Sequence, residues 1–216
     1  MSRQAGSKQA GEPHDWVTRA ADDAQRHAQR HAGEAAEIVT VSSGASPSGR
    51  VHLGNLREFL TVHFVAEELR RRGVNTRHLH VWDDYDRFRK VPVGVDPSWS
   101  DHIGRPLTAV PDPEGCHDSW AEHFKAPLRD ALHAMGVDME EISQTDRYRA
   151  GHYRDAVLTA VRERDAVEAV LARHRTKAVE LESADDDEAA GRGDLARFPY
   201  KPYCRDCGRD TVTLTS

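Results

Sequence analysis

Apolar residues recur along the chain with two different periods, and each period predicts one type of element. Short apolar runs at 38–41 and 77–82 predict two buried strands. Between them, residues 51–72 have helical spacing, and Gly73 is a natural end for that helix. The predicted core stripe of the helix consists of Leu53, Leu56, Leu60 and Phe64. Strand, helix and strand of these lengths predict a βαβ unit with parallel strands and a right-handed crossover.

Three further segments have helical spacing. Residues 15–31 place Trp16, Ala20, Ala24 and Ala28 on one side. Residues 119–135 carry Trp120, Phe124, Leu128 and Leu132. Residues 153–175 have an apolar set made of Val157, Leu158, Val161, Val167, Val170 and Leu171. A short strand fits within residues 140–148. Together with the βαβ unit and the helices, it predicts an α/β fold.

The 216 residues are enough to bury a substantial core. Changes in composition predict five regions: a polar, disordered N-terminus at 1–14, an α/β region at 15–90, a loop-rich and helical insertion at 91–178, an acidic linker at 179–196, and a C-terminal segment at 197–216 that holds a Cys-x-x-Cys pair. The sequence has no internal repeat.

Charge and composition narrow the class of protein. Charged residues make up 31% of the chain, and no apolar run approaches the roughly 20 residues that a spanning helix needs. The net charge of −6 comes from six acidic residues between 180 and 188, and the rest of the chain is neutral, so charge neither supports nor excludes an RNA partner. The N-terminus has no apolar signal segment, and three cysteines form no disulfide framework. We therefore expect a cytoplasmic protein with no membrane partner.

The stretch SSGASPSGRVHLGNLRE, residues 42–58, carries the most chemical information. Its small residues allow close approach of a ligand: Gly44, Ser46, Pro47, Ser48 and Gly49. His52 and Asn55 fall in the first turn of the next helix, where free backbone N–H groups and the helix dipole favour a phosphate. Alternatively, Ser48 or Asn55 caps the helix and His52 is a packed surface residue.

Context favours the phosphate. The motif follows the carboxyl end of a strand in a βαβ unit, which is where doubly wound sheets bind nucleotides. A second, similar sequence, His102-Ile103-Gly104, follows no strand, and Pro106 would interrupt a helix there. We assign His102 a structural role.

Carboxylates follow the second strand in the sequence Trp82-Asp83-Asp84-Tyr85-Asp86. At the carboxyl end of a strand they can face the same crevice as the first loop and accept an ammonium group. The alternative is a set of helix caps and of salt bridges to the basic residues between 87 and 90. The sequence leaves both interpretations of Asp84 open.

Cys204 and Cys207, followed by Gly208, form half of a zinc ribbon. A structural zinc needs four ligands, and no second pair follows within the nine residues that remain. The motif therefore predicts an incomplete zinc site, or a pair of thiols with no metal. Cys116-His117 would complete the site only if the fold brought it close.

Three of these stretches together resemble the class I lysyl-tRNA synthetases: SGASPSGRVHLGNLRE, VWDDYDRFRKVPVGV and FPYKPYCRDCGRD. The resemblance runs from about residue 15 to residue 216. His52-Leu53-Gly54-Asn55 stands where that family carries its version of the class I "HIGH" signature. The resemblance implies that 15–90 is the first half of a Rossmann-like catalytic domain with a parallel sheet.

The resemblance also implies roles for the residues. His52 and Asn55 would be catalytic, by stabilising the phosphates of ATP bound with Mg²⁺. The implied ATP-binding set is Pro47, Ser48, Gly49, His52, Gly54 and Asn55. The implied lysine-binding set is Gly44, Ser46 and Asp84. The helical segment from Trp120 to Arg175 would approach the acceptor end of tRNA(Lys). The oligomeric state stays open.

In that family a KMSKS-type lysine loop and an anticodon domain follow, and neither pattern occurs before residue 216. Phosphate-directed cations carry several kcal/mol of barrier reduction in such sites, so we expect this chain alone to activate lysine poorly. Two alternatives remain: a shortened synthetase-like protein that activates an amino acid for another acceptor, and a non-catalytic protein that binds nucleotide or RNA.

Overall fold

The computed structural model describes residues 15–32, 37–174 and 200–210. The predicted disordered N-terminus and the predicted acidic linker lie outside these residues. The helices and strands are α1 (Trp16–Ala32), β1 (Val39–Ala45), α2 (Leu53–Arg71), β2 (Thr76–Trp82), α3 (Trp120–Ala134), β3 (Glu140–Ser143), α4 (Gln144–Arg149), α5 (Arg154–Arg162) and α6 (Arg164–His174). Two 3₁₀ helices span Pro97–His102 and Leu107–Ala109.

The chain divides into two compact units. Within the described residues, the first comprises 15–32, 37–82 and 124–142, and the second comprises 83–123, 143–174 and 200–210. The first unit thus contains β1, α2 and β2, together with most of α3 and β3. The boundaries predicted at 90 and 178 stay a prediction.

The sheet of the first unit has the strand order β1-β2-β3. β1 and β2 are parallel, with a register that runs from Val39 opposite Thr76 to Ala45 opposite Trp82. With α2 between them, these strands confirm the βαβ unit. β1 continues four residues beyond the predicted end, through Ser42 and Gly44, because both strands pair along their full length.

The predicted core stripe of α2 is partly wrong. Leu53 is 83% exposed and Phe64 is 47% exposed, whereas the buried residues are Phe59, Val65, Ala66 and Leu69. The reason is that α2 packs on two sides. Phe59 joins a cluster with Trp82 and Leu128, and Leu56 and Leu60 pack against this cluster. Val65 and Leu69 join a second cluster with α1, so a single stripe does not describe the helix.

α1 lies against the second of these clusters. Ala21 is fully buried there, and Ala20, Ala24 and Ala28 pack around it, as the predicted apolar side requires. Trp16 remains 47% exposed and meets the equally exposed Phe64 edge-on, with ring centroids 6.5 Å apart. The small side chains let α1 and α2 approach closely, which leaves the larger rings at the margin of the contact.

Two histidines occupy the buried face of β2. His78, His80 and Trp82 alternate along the strand, and each is at most 1% exposed. The Ser43 hydroxyl lies 3.1 Å from His78 Nε2 and 2.8 Å from His80 Nδ1. Burial lowers the pKa of His78 to about 4 and that of His80 to about 3, so both rings are neutral in the folded protein at neutral pH.

The second unit has its own buried residues. Phe88 and Trp120 are buried with their ring centroids 4.9 Å apart, and the backbone N–H of Trp120 donates to the carbonyl of Val110. The segment 200–210 is fixed to this unit because the Asp210 N–H donates to the Gly104 carbonyl. All five tyrosines of the chain belong to the second unit and form one chain of ring contacts: Tyr85, Tyr148, Tyr153, Tyr200 and Tyr203.

The helix predicted over 153–175 is two helices, because α5 ends at Arg162 and α6 begins at Arg164. Its apolar set does not form a core. Leu158, Val170 and Leu171 are between 40% and 53% exposed, and neither helix contains a buried residue. The apolar spacing along this segment therefore predicts helix correctly and burial incorrectly.

Candidate active site at the start of α2

The loop between β1 and α2 is fixed at one point and open at another. Pro47 is fully buried, whereas Ser48 is exposed. A Cβ built on Gly49 would meet nothing within 4 Å, so packing does not require a glycine there. Among the described residues, Gly49 also has no positive φ. The space beside Gly49, next to the start of α2, is therefore open.

His52 is the N-cap of α2. Its Nδ1 accepts a hydrogen bond from the Gly54 N–H at 3.0 Å, and Asn55 Oδ1 accepts from the His52 N–H at 3.3 Å. The two side chains thus form a capping box with histidine in the place usually taken by serine or threonine. The alternative named Ser48 or Asn55 as the cap, whereas the N-cap is His52, and Asn55 completes the capping box from the third helical position.

The cap determines which ring nitrogen of His52 carries the proton. A backbone N–H is always a donor, so Nδ1 must be unprotonated to accept from it. In the neutral ring the proton is therefore on Nε2, on the opposite side of the imidazole. His52 is exposed, so Nε2–H is available as a donor at the positive end of the helix dipole. Capping and ligand binding are compatible because they use different nitrogens.

Gly54 makes this arrangement possible by having no side chain. A Cβ at position 54 would lie 2.8 Å from His52 Cε1 and 3.0 Å from its Nδ1. Carbon atoms in contact prefer about 3.5–4.0 Å, so an alanine at this position would displace the ring. The imidazole can lie over the first turn of α2 only because position 54 is a glycine.

The residues predicted to bind the amino acid belong to both units. Gly44 is exposed near the end of β1, and Ser46 follows that strand. Asp84 belongs to the second unit and is fully buried. One of its carboxylate oxygens accepts from Ser143 Oγ at 2.7 Å, and the other accepts from the Thr145 N–H at 2.8 Å. These bonds give Asp84 a structural partner at the start of α4, and its role in lysine binding stays a prediction.

Charged residues flank Asp84 in the sequence on both sides. Arg87 lies 3.7 Å from Asp210 in an ion pair. Burial, and then Asp86 and Asp84, raise the pKa of the Asp83 carboxyl above its usual value. The salt bridges predicted between the acidic stretch 83–86 and residues 87–90 stay a prediction.

Cys204 and Cys207 lie on a tight turn that ends at Gly208, whose φ is +70°. The N–H groups of Cys207 and Asp206 approach Cys204, and these contacts, followed by the Cys207 side chain, lower the pKa of the Cys204 thiol. This is the local geometry that favours a thiolate and a metal. Cys116 and His117 do not join this pair. They gather instead with Asp112 and His123.

The sequence pattern alone did not indicate that second group. Its ligand atoms all lie within 4.8 Å of one another, and no other group of three or more such residues occurs in the described part of the chain. The spacing Asp-x₃-Cys-His-x₅-His was the available signal. Only Cys116 and His117 are adjacent in the sequence. Asp112 lies before them in a loop and His123 follows them in a helix turn, so the four residues come together only in the folded chain.

His102 ends the first 3₁₀ helix rather than beginning an α-helix. Its ring packs edge-on to Trp99, with ring centroids 6.0 Å apart, and Nδ1 lies 3.4 Å from Arg105. Burial, and then Arg105, lower the pKa of this imidazole. These contacts are those of a structural residue.

The parallel pair of β1 and β2, with α2 beginning at His52 shortly after β1, is consistent with the first half of a Rossmann-like fold of the class I aminoacyl-tRNA synthetases. Comparison with known families gives the particular one. The family described as "tRNA synthetases class I (K)" matches residues 14–216, and the chain belongs to it.

Three similar proteins are named lysine–tRNA ligase. A lysine–tRNA ligase of Streptomyces coelicolor is 48% identical over 96% of this chain and 39% of its own length. The lysine–tRNA ligase of Thermococcus kodakarensis is 39% identical over 82% of this chain and 32% of its own length. That of Pyrococcus horikoshii is 42% identical over 68% of this chain and 28% of its own length. The chain thus spans about a third of the length of these relatives.

None of the helices in the described residues is long and apolar enough to cross a bilayer.

Proposed function

We propose that this chain binds ATP and lysine and takes part in forming lysyl-adenylate for transfer to tRNA(Lys). The observation that carries the proposal is the capping box of α2, because it fixes a donor, His52 Nε2–H, at an exposed helix N-terminus beside open space. Family membership supports lysine as the amino acid. The transfer to tRNA(Lys) would place the protein in the cytoplasm.

In this reaction a carboxylate oxygen of lysine attacks the α-phosphorus of ATP. The bond from that phosphorus to the bridging oxygen breaks, and pyrophosphate leaves with its Mg²⁺. A hydroxyl at the tRNA 3′ end then attacks the lysyl carbonyl, and AMP leaves. Neither step needs a protein nucleophile, since positioning and charge stabilisation are sufficient.

Each group at the start of α2 would then have a distinct part. His52 Nε2–H donates to phosphate oxygens as negative charge grows in the transition state. Asn55 uses Oδ1 for the cap, which leaves its amide N–H₂ as the donor toward the nucleotide. Pro47, Ser48, Gly49 and Gly54 would line the path of ATP, and Gly44, Ser46 and Asp84 would contact lysine.

For the remaining assignments we propose two further points. Segment 120–174 would face the tRNA acceptor end. Cys204 and Cys207 would supply two ligands to a zinc ion, which is supported by the amide groups that approach the Cys204 sulfur. A zinc ion there would hold the turn in place, and no reaction step uses it.

Lysine-dependent ATP–pyrophosphate exchange tests the proposal on the 216-residue chain. We expect weak exchange from this chain alone, and we expect His52→Ala to lower it by about 100-fold or more, to the background of the assay, as loss of an oxyanion donor does in other enzymes. His102→Ala is the matched control, because it removes the histidine of the similar sequence 102–104, and we expect it to leave exchange within a few-fold.

Three measurements together separate the alternatives: lysine-dependent exchange, charging of tRNA, and ATP binding by titration calorimetry. Exchange driven by lysine but no charging of tRNA would favour another acceptor. ATP binding that His52→Ala weakens, without any exchange, would favour a non-catalytic nucleotide-binding protein. A folded chain that neither binds ATP nor supports exchange contradicts the proposal.

A further inference from the structure

We propose that Tyr203 is a positioning residue for the carboxylates that follow β2. Its phenol O–H donates to the backbone carbonyl of Tyr85 at 2.7 Å, although 118 positions separate the two residues. Tyr85 stands between Asp84 and Asp86 in the sequence. This role rests on the proposed function, in which Asp84 contacts lysine, and it extends that site to a residue of the segment 200–210.

The turn at 83–86 is closed only weakly by its own backbone. The Asp86 N–H donates to the Asp83 carbonyl at 3.3 Å, which is longer than the typical length of about 2.9–3.0 Å. Just after the turn, the Phe88 N–H donates to the carbonyl of Arg105 at 2.7 Å. The turn therefore depends on contacts from other parts of the second unit for a fixed conformation.

Two anchors from different segments hold successive residues of this turn. The Asp84 carboxylate accepts from Ser143 Oγ and from the Thr145 N–H. At the next residue, Tyr203 holds the main-chain carbonyl of Tyr85. A side chain anchored on one residue and a carbonyl anchored on the next restrict the backbone between them. Loss of either anchor would therefore let the carboxylates move.

Aromatic rings surround the second of these anchors. The Tyr203 ring meets the Tyr85 ring edge-on, with ring centroids 4.9 Å apart, and Tyr85 stacks on Tyr148 at 4.9 Å. Both Tyr203 and Tyr85 are partly buried. A hydrogen bond that is partly shielded from water is electrostatically stronger than one in bulk solvent, so this one can fix the position of the Tyr85 carbonyl.

The segment 200–210 is fixed to the same part of the second unit at further points. The Asp210 N–H donates to the Gly104 carbonyl at 2.9 Å, and Asp210 forms an ion pair with Arg87 at 3.7 Å. Both side chains of this pair are largely buried. Because Arg87 lies two residues after Tyr85, the segment holds the loop after β2 at two separate points.

The turn that carries Cys204 and Cys207 begins directly after Tyr203. The Gly208 N–H donates to the Cys204 carbonyl at 2.9 Å, and the Cys204 N–H donates to the Arg209 carbonyl at 2.9 Å. The place of the Tyr203 hydroxyl therefore depends on this turn. The cysteine pair, which takes no part in the reaction, would thus contribute to the lysine site through Tyr203.

Tyr203 should affect the binding of lysine and not that of ATP. Its hydroxyl proton is used on the Tyr85 carbonyl, so the role needs no contact with a reacting atom. The residues proposed to stabilise the ATP phosphates lie at the start of α2, in the first unit. Small displacements of a binding group weaken its contacts, so loss of this hydrogen bond should lower the affinity for lysine alone.

Tyr203→Phe tests this role, because it removes the hydroxyl and keeps the ring. Tyr200→Phe is the matched control, since it removes the same group from the same segment, where the ring contacts Tyr148 with centroids 6.3 Å apart. Titration calorimetry gives the Kd for lysine, and ATP–pyrophosphate exchange gives the KM values for lysine and ATP. We expect Tyr203→Phe to raise the Kd and KM for lysine about three- to tenfold, the factor that an ordinary hydrogen bond corresponds to. The KM for ATP should stay unchanged, and Tyr200→Phe should change none of these values.

Amide spectra of ¹⁵N-labelled protein provide a readout that does not require lysine. Tyr203→Phe should shift the signals of Tyr85 and Asp86, while circular dichroism shows the same fold. Equal lysine affinities in the wild type and in Tyr203→Phe would overturn the positioning role and leave the proposed function in place. Equal losses for lysine and ATP would also overturn it, because Tyr203 would then support the fold in general. A folded wild-type chain that binds no lysine contradicts the proposed function and the role of Tyr203 together.

Discussion

At the scale of single residues, the start of α2 shows how one side chain can serve structure and chemistry together. His52 accepts the Gly54 N–H with Nδ1, so the ring is held by the helix that it begins. The hydrogen bond also selects the tautomer with the proton on Nε2. A serine cap would satisfy the same amide without presenting a donor on its far side. This is a physical reason for a histidine at a position where serine is the common choice.

Gly54→Ala should therefore disturb the His52 ring, whereas Gly49→Ala should not. The new Cβ at 54 would lie 2.8 Å from Cε1, and a Cβ at 49 would meet nothing. Long-range ¹H–¹⁵N correlation spectra of labelled protein report the tautomer, and His52→Gln identifies the signal. We expect the Nε2-protonated form in the wild type and in Gly49→Ala, and a mixture of tautomers in Gly54→Ala. An unchanged His52 signal in Gly54→Ala would contradict the capping geometry.

The sequence predicted His52 and Asn55 at this helix start, because strand, small residues and helix follow one another locally. It could not decide the role of Asp84. The hydrogen bonds to that carboxylate come from Ser143 and Thr145, about sixty positions later, and no local pattern announces such partners. The Asp112 group was missed for a related reason, since only the folded loop brings its four members together.

At the scale of elements, the pairing of α1 with α2 depends on one arginine. Arg72, at the end of α2, donates to Glu68 in its own helix and to Asp22 and the Thr18 carbonyl in α1. Its guanidinium is planar with several donors, so one side chain can bind both helices at once. The hydrogen bonds from Arg71 and then Arg72 lower the pKa of the Glu68 carboxyl to about 2.

Arg72→Ala should loosen α1 more than it unfolds the rest of the protein. We expect a loss of about 1 kcal/mol in the free energy of unfolding, since the group is partly exposed and solvent screens it. Amide hydrogen exchange within α1 should become faster. Arg71→Ala is the control, because Arg71 also pairs with Glu68 but is 73% exposed. Equal exchange rates in α1 for the two variants would show that Arg72 does not hold the helices together.

Element types were easier to predict than the faces that they bury. The strands, α2 and α3 lie close to their predicted positions because periodicity is a local property. The stripe through Leu53 and Phe64 was wrong because α2 has neighbours on two sides, and periodicity does not say how many neighbours a helix has. Residues 153–175 show the same limit, since helical spacing of apolar residues was present without a core to receive them.

At the scale of the whole molecule, the histidines of β2 make stability depend on pH. His78 and His80 have folded-state pKa values of about 4 and about 3, well below the usual value of about 6.5. Between about pH 6.5 and the folded-state pKa values, the unfolded chain therefore binds more protons than the folded chain. Their contribution to stability is complete above about pH 6.5 and is lost progressively as the pH falls toward 4 and then 3.

The melting temperature should thus fall as the pH is lowered from about 7 to about 5. In His78→Gln/His80→Gln protein the fall should be smaller, although the variant is less stable at neutral pH because it disturbs a buried face. The slope of melting temperature against pH is the quantity to compare, since it removes this constant difference. Parallel slopes in the two proteins would mean that the β2 histidines do not carry the acid sensitivity.

The cluster of tyrosines has a consequence for spectroscopy. All five tyrosines lie in the second unit, and Tyr200 and Tyr203 carry the segment 200–210 into contact with Tyr85 and Tyr148. Tyrosine signals in the near ultraviolet therefore report on that unit alone, although tryptophans occur in both. The seating of the C-terminal segment can be followed optically through these rings without attaching any label to the protein.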